Sequence, residues 1–180
     1  MNLEMQTALV TDKPVLRNLL QLCLHDYSEY NGEEVDDLGM FKYDYLDDYW
    51  VEPGRYAYLA RVNGKLAGFA LVGQLDPSKE AYLISEFFIL RKYRRQGLGR
   101  QVAFWVFGHF PGEWMVSQET CNLAAQAFWR KIIADYTAGN FIDGFRDDYD
   151  WCGPTQFFHS PPELFAGKIP EIKPPTIAAG

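Results

Sequence analysis

Residues 81–110 read AYLISEFFIL RKYRRQGLGR QVAFWVFGHF, and three different patterns meet there. The first ten residues are almost continuously apolar, which suits a strand covered on both faces. The last ten continue an apolar stripe at helical spacing, Leu98, Val102 and Val106, with Ala103 beside it. Between them stand five basic residues (Arg91, Lys92, Arg94, Arg95, Arg100) and two glycines (Gly97, Gly99). A buried strand that passes through a glycine turn into a helix is an arrangement for binding anions. The first amides of the helix lack intrahelical acceptors, and the helix dipole adds partial positive charge. Gly97 and Gly99 would let the backbone approach a phosphate with no Cβ in between. Arg94 and Arg95 would add charge-assisted hydrogen bonds. The competing reading of the same residues is a solvated basic loop whose glycines serve only the turn.

Upstream, TDKPVLRNLLQLCLHDYSEY reads as a helix with Asp12 as N-cap and Pro14 in its first turn. Short helical pieces are expected around MFKYDYLDDYW, and RYAYLARVNGKLAGFALVG is a hairpin turning at Asn63-Gly64. Downstream, Pro111-Gly112 closes the helix, EWMVSQ is a short strand, and NLAAQAFWRKIIADY is a second helix with Asn122 as its cap. The segment FIDGFRDDYDWCGPTQFFHS holds two strands, expected to part at Gly153-Pro154. Prolines at 161, 162, 170, 174 and 175 mark residues 161–180 as a loosely packed tail of a single domain spanning 1–180.

Composition narrows the function. The chain has 180 residues, 48% of them hydrophobic, and a formal net charge of −7. That acidity, with a compact rather than striped basic patch, argues against nucleic acid. No run approaches the roughly 18 apolar residues of a membrane span, and MNLEMQTALVTDK does not resemble a signal peptide. Three cysteines without CxxC spacing suit reduced thiols in a cytoplasmic protein, and His25, His109 and His159 show no metal-site spacing. A Walker A loop would need Lys-Ser/Thr where Arg100 and Gln101 stand, and a dinucleotide fingerprint would need a glycine at Val102.

RRQGLG, Arg94 to Gly99, resembles the R/Q-x-x-G-x-G/A signature of the GNAT superfamily of acyl-CoA-dependent N-acyltransferases. NLAAQAFW, Asn122 to Trp129, resembles the N-x-x-A-x-x-Φ-Y segment of the same family, correctly placed downstream. The resemblance covers roughly residues 7–160. It implies an α/β (α+β) GNAT fold: a central mixed, largely antiparallel sheet flanked by helices and splayed at the acetyl-CoA site. It also implies an N-acetyltransferase in which an amine attacks acetyl-CoA directly.

On that resemblance Gln96, Gly97, Leu98, Gly99 and Arg100 hold the pyrophosphate of coenzyme A through backbone amides, assisted by Arg94 and Arg95. The backbone of Phe87, Phe88 and Ile89 pairs with the acetyl and pantetheine groups, and Asn122, Ala125, Phe128 and Trp129 contact the pantetheine arm. Glu86 is the base; its other reading is a carboxylate facing an open cleft or a structural partner. The family's tyrosine is replaced by Trp129, whose N–H does not protonate a thiolate as a phenol does. Tyr136 and Ser117 are poor substitutes, so the acid is unassigned. That gap keeps open an acyl-CoA-binding sensor or scaffold that does not turn over. Homodimers are common in the family.

For the acceptor, residues 26–52 hold ten acids against Lys42 alone, interleaved with Tyr27, Tyr30, Tyr43, Tyr45, Tyr49 and Trp50. This reads either as a negative wall attracting a small cationic amine, with more than one positive charge preferred, or as a solvated acidic surface.

Overall fold

The computed structural model describes residues 2–76, 78–149 and 151–162. Of the expected tail, only Pro161 and Pro162 lie inside that range. In chain order the elements are β1 (Leu3–Thr7), a 3₁₀ turn (Val10–Asp12), α1 (Lys13–Asn31), the one-turn α2 (Asp48–Val51), β2 (Arg55–Val62) and β3 (Lys65–Gln74). There follow β4 (Ala81–Ile89), a second 3₁₀ turn (Arg91–Tyr93), α3 (Leu98–His109), β5 (Gly112–Ser117), α4 (Leu123–Thr137), β6 (Phe141–Asp147) and β7 (Cys152–Ser160).

The strands form one seven-stranded sheet in the order β1-β2-β3-β4-β5-β7-β6. Every neighbouring pair is antiparallel except β4 with β5. Both faces are covered. Leu16, Leu19, Leu20 and Leu24 of α1 pack with Leu46 and Tyr49 on one side. Val102, Val106 and Phe107 of α3 pack with Trp129 and Ile133 of α4 on the other. Burial from both sides is why the middle strands read as continuous apolar runs rather than alternating ones.

Local signals account for most boundaries. Asn63 and Gly64 both adopt positive φ, 50° and 75°, as a two-residue type I′ hairpin requires. Helix α1 ends at Gly32 in the left-handed region, its amide bonded to the Ser28 carbonyl. Asp12 precedes α1 but does not cap it with its side chain; its carboxylate accepts from the Leu9 amide and closes the 3₁₀ turn instead.

Two differences from the sequence reading stand out. β1 was not expected, because five residues with only Leu3 and Met5 turned to the core carry little strand signal. The final strands part at residues 148–151, and Gly153 and Pro154 lie inside β7. Pro154 is tolerated because the pairing of β5 with β7 ends at Ser117 with Thr155. Just beyond that end its missing N–H costs no ladder bond on the β5 side, and its carbonyl accepts the Gln118 amide.

β4 contains an irregularity that matters for the site. Leu71 pairs with Glu86 and Val72 with Ile84, so Ser85 is an extra residue in the strand. Before the bulge Tyr82 and Ile84 pack toward α3 and α4; after it Phe87 does so while Phe88 joins the α1 side. The added residue turns Glu86 toward α1, where Cys23 Sγ lies 4.0 Å from its Oε2.

Candidate active site

β4 and β5 pair in parallel only over Ala81–Leu83 with Glu113–Met115. From there β4 continues with β3 as far as Ile89, while β5 runs on with β7. The sheet therefore opens between them, and a cleft of about 560 Å³ lies at the opening. A smaller hollow of about 270 Å³ adjoins it and shares Cys23, Tyr27, Phe87 and Asn122. The Phe88 carbonyl lies tightly against Gly68 of β3. By strand alternation, Phe87 and Ile89 turn their backbone groups to the open side. There the Ile89 carbonyl already accepts Arg94 Nε at 2.7 Å, so Phe87 presents the free backbone pair at this edge.

Directly after β4, Arg95 and Gly97 take positive φ, 59° and 78°, and Gly97 is the N-cap of α3. After the Arg94 amide, which donates to the Arg91 carbonyl, the next amide to find a backbone acceptor is that of Gln101, on the Gly97 carbonyl. Among the described residues the amides of Gln96, Gly97, Leu98, Gly99 and Arg100 have no protein acceptor. They form the anion-binding start expected of the turn. Gly99 serves a different purpose from Gly97: a Cβ there would lie 3.1 Å from the Phe128 ring, so its small size lets α3 sit close to α4.

The basic residues divide. Arg91 and Arg94 each reach one oxygen of Asp26 at 2.5 Å. Burial works to raise the Asp26 pKa, but the two guanidiniums hold it below the ordinary carboxylate value. Arg100 faces Asp135 and stacks over Phe104 at 4.1 Å. Arg95 is exposed and, among the described residues, has no partner. Of the two arginines singled out for the phosphates, Arg94 is engaged within the protein and Arg95 is free.

Glu86 is half-buried in the wall of the larger cleft. Desolvation, and then the charge of Glu33, push its pKa up to about 7. Tyr27 lines the same cleft and donates to Glu119 Oε1 at 2.8 Å. Burial and that carboxylate raise the Tyr27 pKa far above the ordinary phenol range, so it is a hydrogen-bond donor rather than a proton source at neutral pH. From α4, Asn122 caps the helix by accepting the Ala125 amide at 2.9 Å, and Asn122, Ala125 and Trp129 all line the cleft. Trp129 meets the Phe87 ring edge-on at 4.9 Å, and Phe128 stands between Gly99 and Phe87. Tyr136 is not placed to act as the acid. Its hydroxyl shares a buried bond with Ser160, which donates to the Phe107 carbonyl. Ser117 is bonded to Thr155.

The acidic segment is not one wall. Asp26 neutralises the basic turn, Asp44 pairs with Lys42, Asp47 with Lys13, and Asp36 caps its own loop. Tyr49 is buried and Trp50 donates to the Ala8 carbonyl. Of the ten acids only Glu33 lines the larger cleft, where Glu86 and Glu119 join it from β4 and from just beyond β5. Sequence reading did not single out Cys23, Gln118, Glu119, Arg146 or Trp151, which also line it. No local motif marks them, because four separate segments bring them together. Among the described residues no group of three or more metal-ligating side chains is placed to hold an ion, and no helix is long and apolar enough to cross a membrane.

A mixed sheet that opens at its one parallel pair, with free helix-start amides beside the opening, is the architecture of acyl-CoA-dependent acyltransferases. The particular family follows from a sequence match: the model described as the acetyltransferase (GNAT) family covers residues 16–133, and the chain belongs to that family. Its members transfer acetyl groups from acetyl-CoA, which is the co-substrate here. Solved structures agree on the fold. An acetyltransferase from Thermus thermophilus is 21% identical, with 88% of this chain and 97% of that one covered at a TM-score of 0.65. The ribosomal-protein-S18-alanine N-acetyltransferase of Escherichia coli is 16% identical, covering 95% and 100% at 0.58. The spermidine N-acetyltransferase of Vibrio cholerae, in complex with CoA and spermine, is 10% identical, covering 88% and 95% at 0.60. No curated protein sequence matches the chain at a significant level.

Proposed function

We propose that the protein transfers the acetyl group of acetyl-CoA to a primary amine of a small cationic acceptor by direct attack. The observation that carries this reading is Glu86, a carboxylate with a pKa pushed up to about 7, beside the open edge of β4 and among the acids of the cleft. A base of that strength is half-ionised at neutral pH and suited to taking a proton from an ammonium. Bound acetyl-CoA supplies the activated thioester carbonyl.

The chain's own residues do the rest. The amides of Gln96 to Arg100 hold the pyrophosphate, with the free guanidinium of Arg95 beside them. The Phe87 backbone pairs with the pantetheine arm as an added strand would, between Asn122, Ala125 and Trp129. Glu33, Glu86 and Glu119 give the cleft a negative field that draws in a cation.

Coenzyme A release is the test, measured with polyamines, aminoglycosides, amino acids and peptide N-termini at low and high salt. Cationic amines should give the highest kcat/KM, falling as salt rises. A protein that binds acetyl-CoA yet releases no coenzyme A above hydrolysis is the non-catalytic sensor or scaffold. A preference for an anionic acceptor overturns the charge assignment while leaving the transferase intact.

A further inference from the structure

Behind the cleft runs a chain of buried amides whose direction is fixed at one end. Asp143 Oδ2 accepts from Arg130 Nε at 2.7 Å, and its Oδ1 accepts from Gln156 Nε2 at 2.8 Å. Burial works to raise the Asp143 pKa, but Gln156 and Arg130 hold it below the ordinary value, so the group only accepts. Gln156 must therefore turn its NH₂ to Asp143 and its Oε1 the other way. That oxygen accepts Gln118 Nε2 at 2.9 Å, and the same NH₂ donates to the Val116 carbonyl at 2.8 Å. Both ends of the Gln118 amide are thus assigned by chemistry. Among the described residues its Oε1 is left without a partner, on a residue only 4% exposed that lines the cleft beside Glu119.

An unpaired buried carbonyl is destabilising, and a ligand that supplies the donor removes the cost. Resting on the amine-acceptor reading above, we infer that Gln118 Oε1 receives a second N–H of the acceptor, beyond the reacting amine, and that Asp143 and Gln156 are its positioning residues. The donor is either a second ammonium or an amide N–H. Trp151 Nε1, also without a partner among the described residues and lining the same cleft, is a donor that the carbonyl of an amide would satisfy.

Two matched pairs separate these sources: diaminobutane against butylamine, and alaninamide against alanine methyl ester. Wild type should favour the N–H-bearing member of at least one pair by about tenfold in kcat/KM. Gln118→Met should bring that ratio to about one with acetyl-CoA affinity unchanged by calorimetry. A preference in the first pair places an ammonium at Gln118, and one in the second places an amide. Equal rates within both pairs in wild type overturn the inference, as does a ratio that survives in Gln118→Met at wild-type melting temperature. If Gln118→Met does not fold, Asp143→Asn is the second arm, since it removes the charged acceptor that orients Gln156, together with the Arg130 ion pair, at the far end and leaves Gln118 itself in place. It should raise the acceptor KM with little change in kcat; an unchanged ratio overturns the positioning. If no amine is acetylated at all, the transferase reading is what fails. Calorimetric binding of diaminobutane and alaninamide to wild type and Gln118→Met then decides the subsite alone.

Discussion

The two halves of the cleft are built in opposite ways. The half toward the turn at 94–100 is made of consecutive backbone: the Phe87 edge of β4, then the amides from Gln96 to Arg100. The half toward Glu119 is made of side chains from α1, β4, the end of β5 with the residues just beyond it, β6 and Trp151, drawn from separate segments of the chain. Recognition through backbone needs only a fold and a few glycines. Recognition through side chains needs residues to converge, and their identities are free to change with the acceptor.

The sharpest way to break this division is Glu86→Gln, which keeps shape and removes the base. It should lower kcat at least a hundredfold at pH 7–8, with acetyl-CoA affinity by calorimetry unchanged. The wild-type rate should rise with pH through about 7 and that limb should vanish in the variant. If Glu86→Gln weakens acetyl-CoA instead, the halves are not separate.

The converse is Gly97→Val. The φ of 78° strains a β-branched residue, although open space surrounds the position. Acetyl-CoA affinity should fall about tenfold or more, while Gly97→Asn, which tolerates that conformation, should lose much less. Similar losses in both variants would assign Gly97 a steric rather than a conformational role.

Smaller effects sharpen the line within the basic turn. Arg95→Ala should weaken acetyl-CoA a few-fold, with the difference shrinking in high salt and stability unaffected. Arg94→Ala should instead lower the melting temperature, because it strips the Ile89 carbonyl of its side-chain donor and Asp26 of one of its two arginines. Identical behaviour of the two arginines would erase the distinction.

The smallest effect is thermodynamic. Burial raises the Glu86 pKa from 4.5 to about 7, so folding favours its neutral form. That contribution is complete below pH 4.5 and is lost as pH rises through about 7, when charge is forced into the folded cleft. Glu86→Gln should therefore melt several degrees above wild type at pH 8 and together with it at pH 4. A difference independent of pH would mean that the side chain, not its charge, is at issue.

Legibility followed the same division. The strand, turn and helix at 81–110 could be read because one continuous segment carries both the periodicity and the glycines. Asn122 was readable as a cap because capping is local. The strand β1 was missed for want of length, and the break at residues 148–151 was misplaced because Gly153-Pro154 looks like a turn until the end of β5 is known. The acid count over residues 26–52 correctly located charge but not its direction. Asp26 shows why: its two arginines are 65 and 68 residues away in sequence. The Gln118 carbonyl could not have been found at all without the partners that orient it.

The extra residue at Ser85 also governs how β4 can change over time. Substitutions along the strand alter one contact each, but an inserted residue that no further bulge takes up reassigns every side chain beyond it to the opposite layer. Removing Ser85 alone would make Val72 with Ile84 and Leu71 with Glu86 consecutive pairs, so Glu86 would keep its face toward α1 and only the bulge would be lost. The bulge is therefore the one place where this strand can shorten by a residue with its faces kept, and a graft of its active-site residues onto a relative must either carry the bulge or leave Ser85 out.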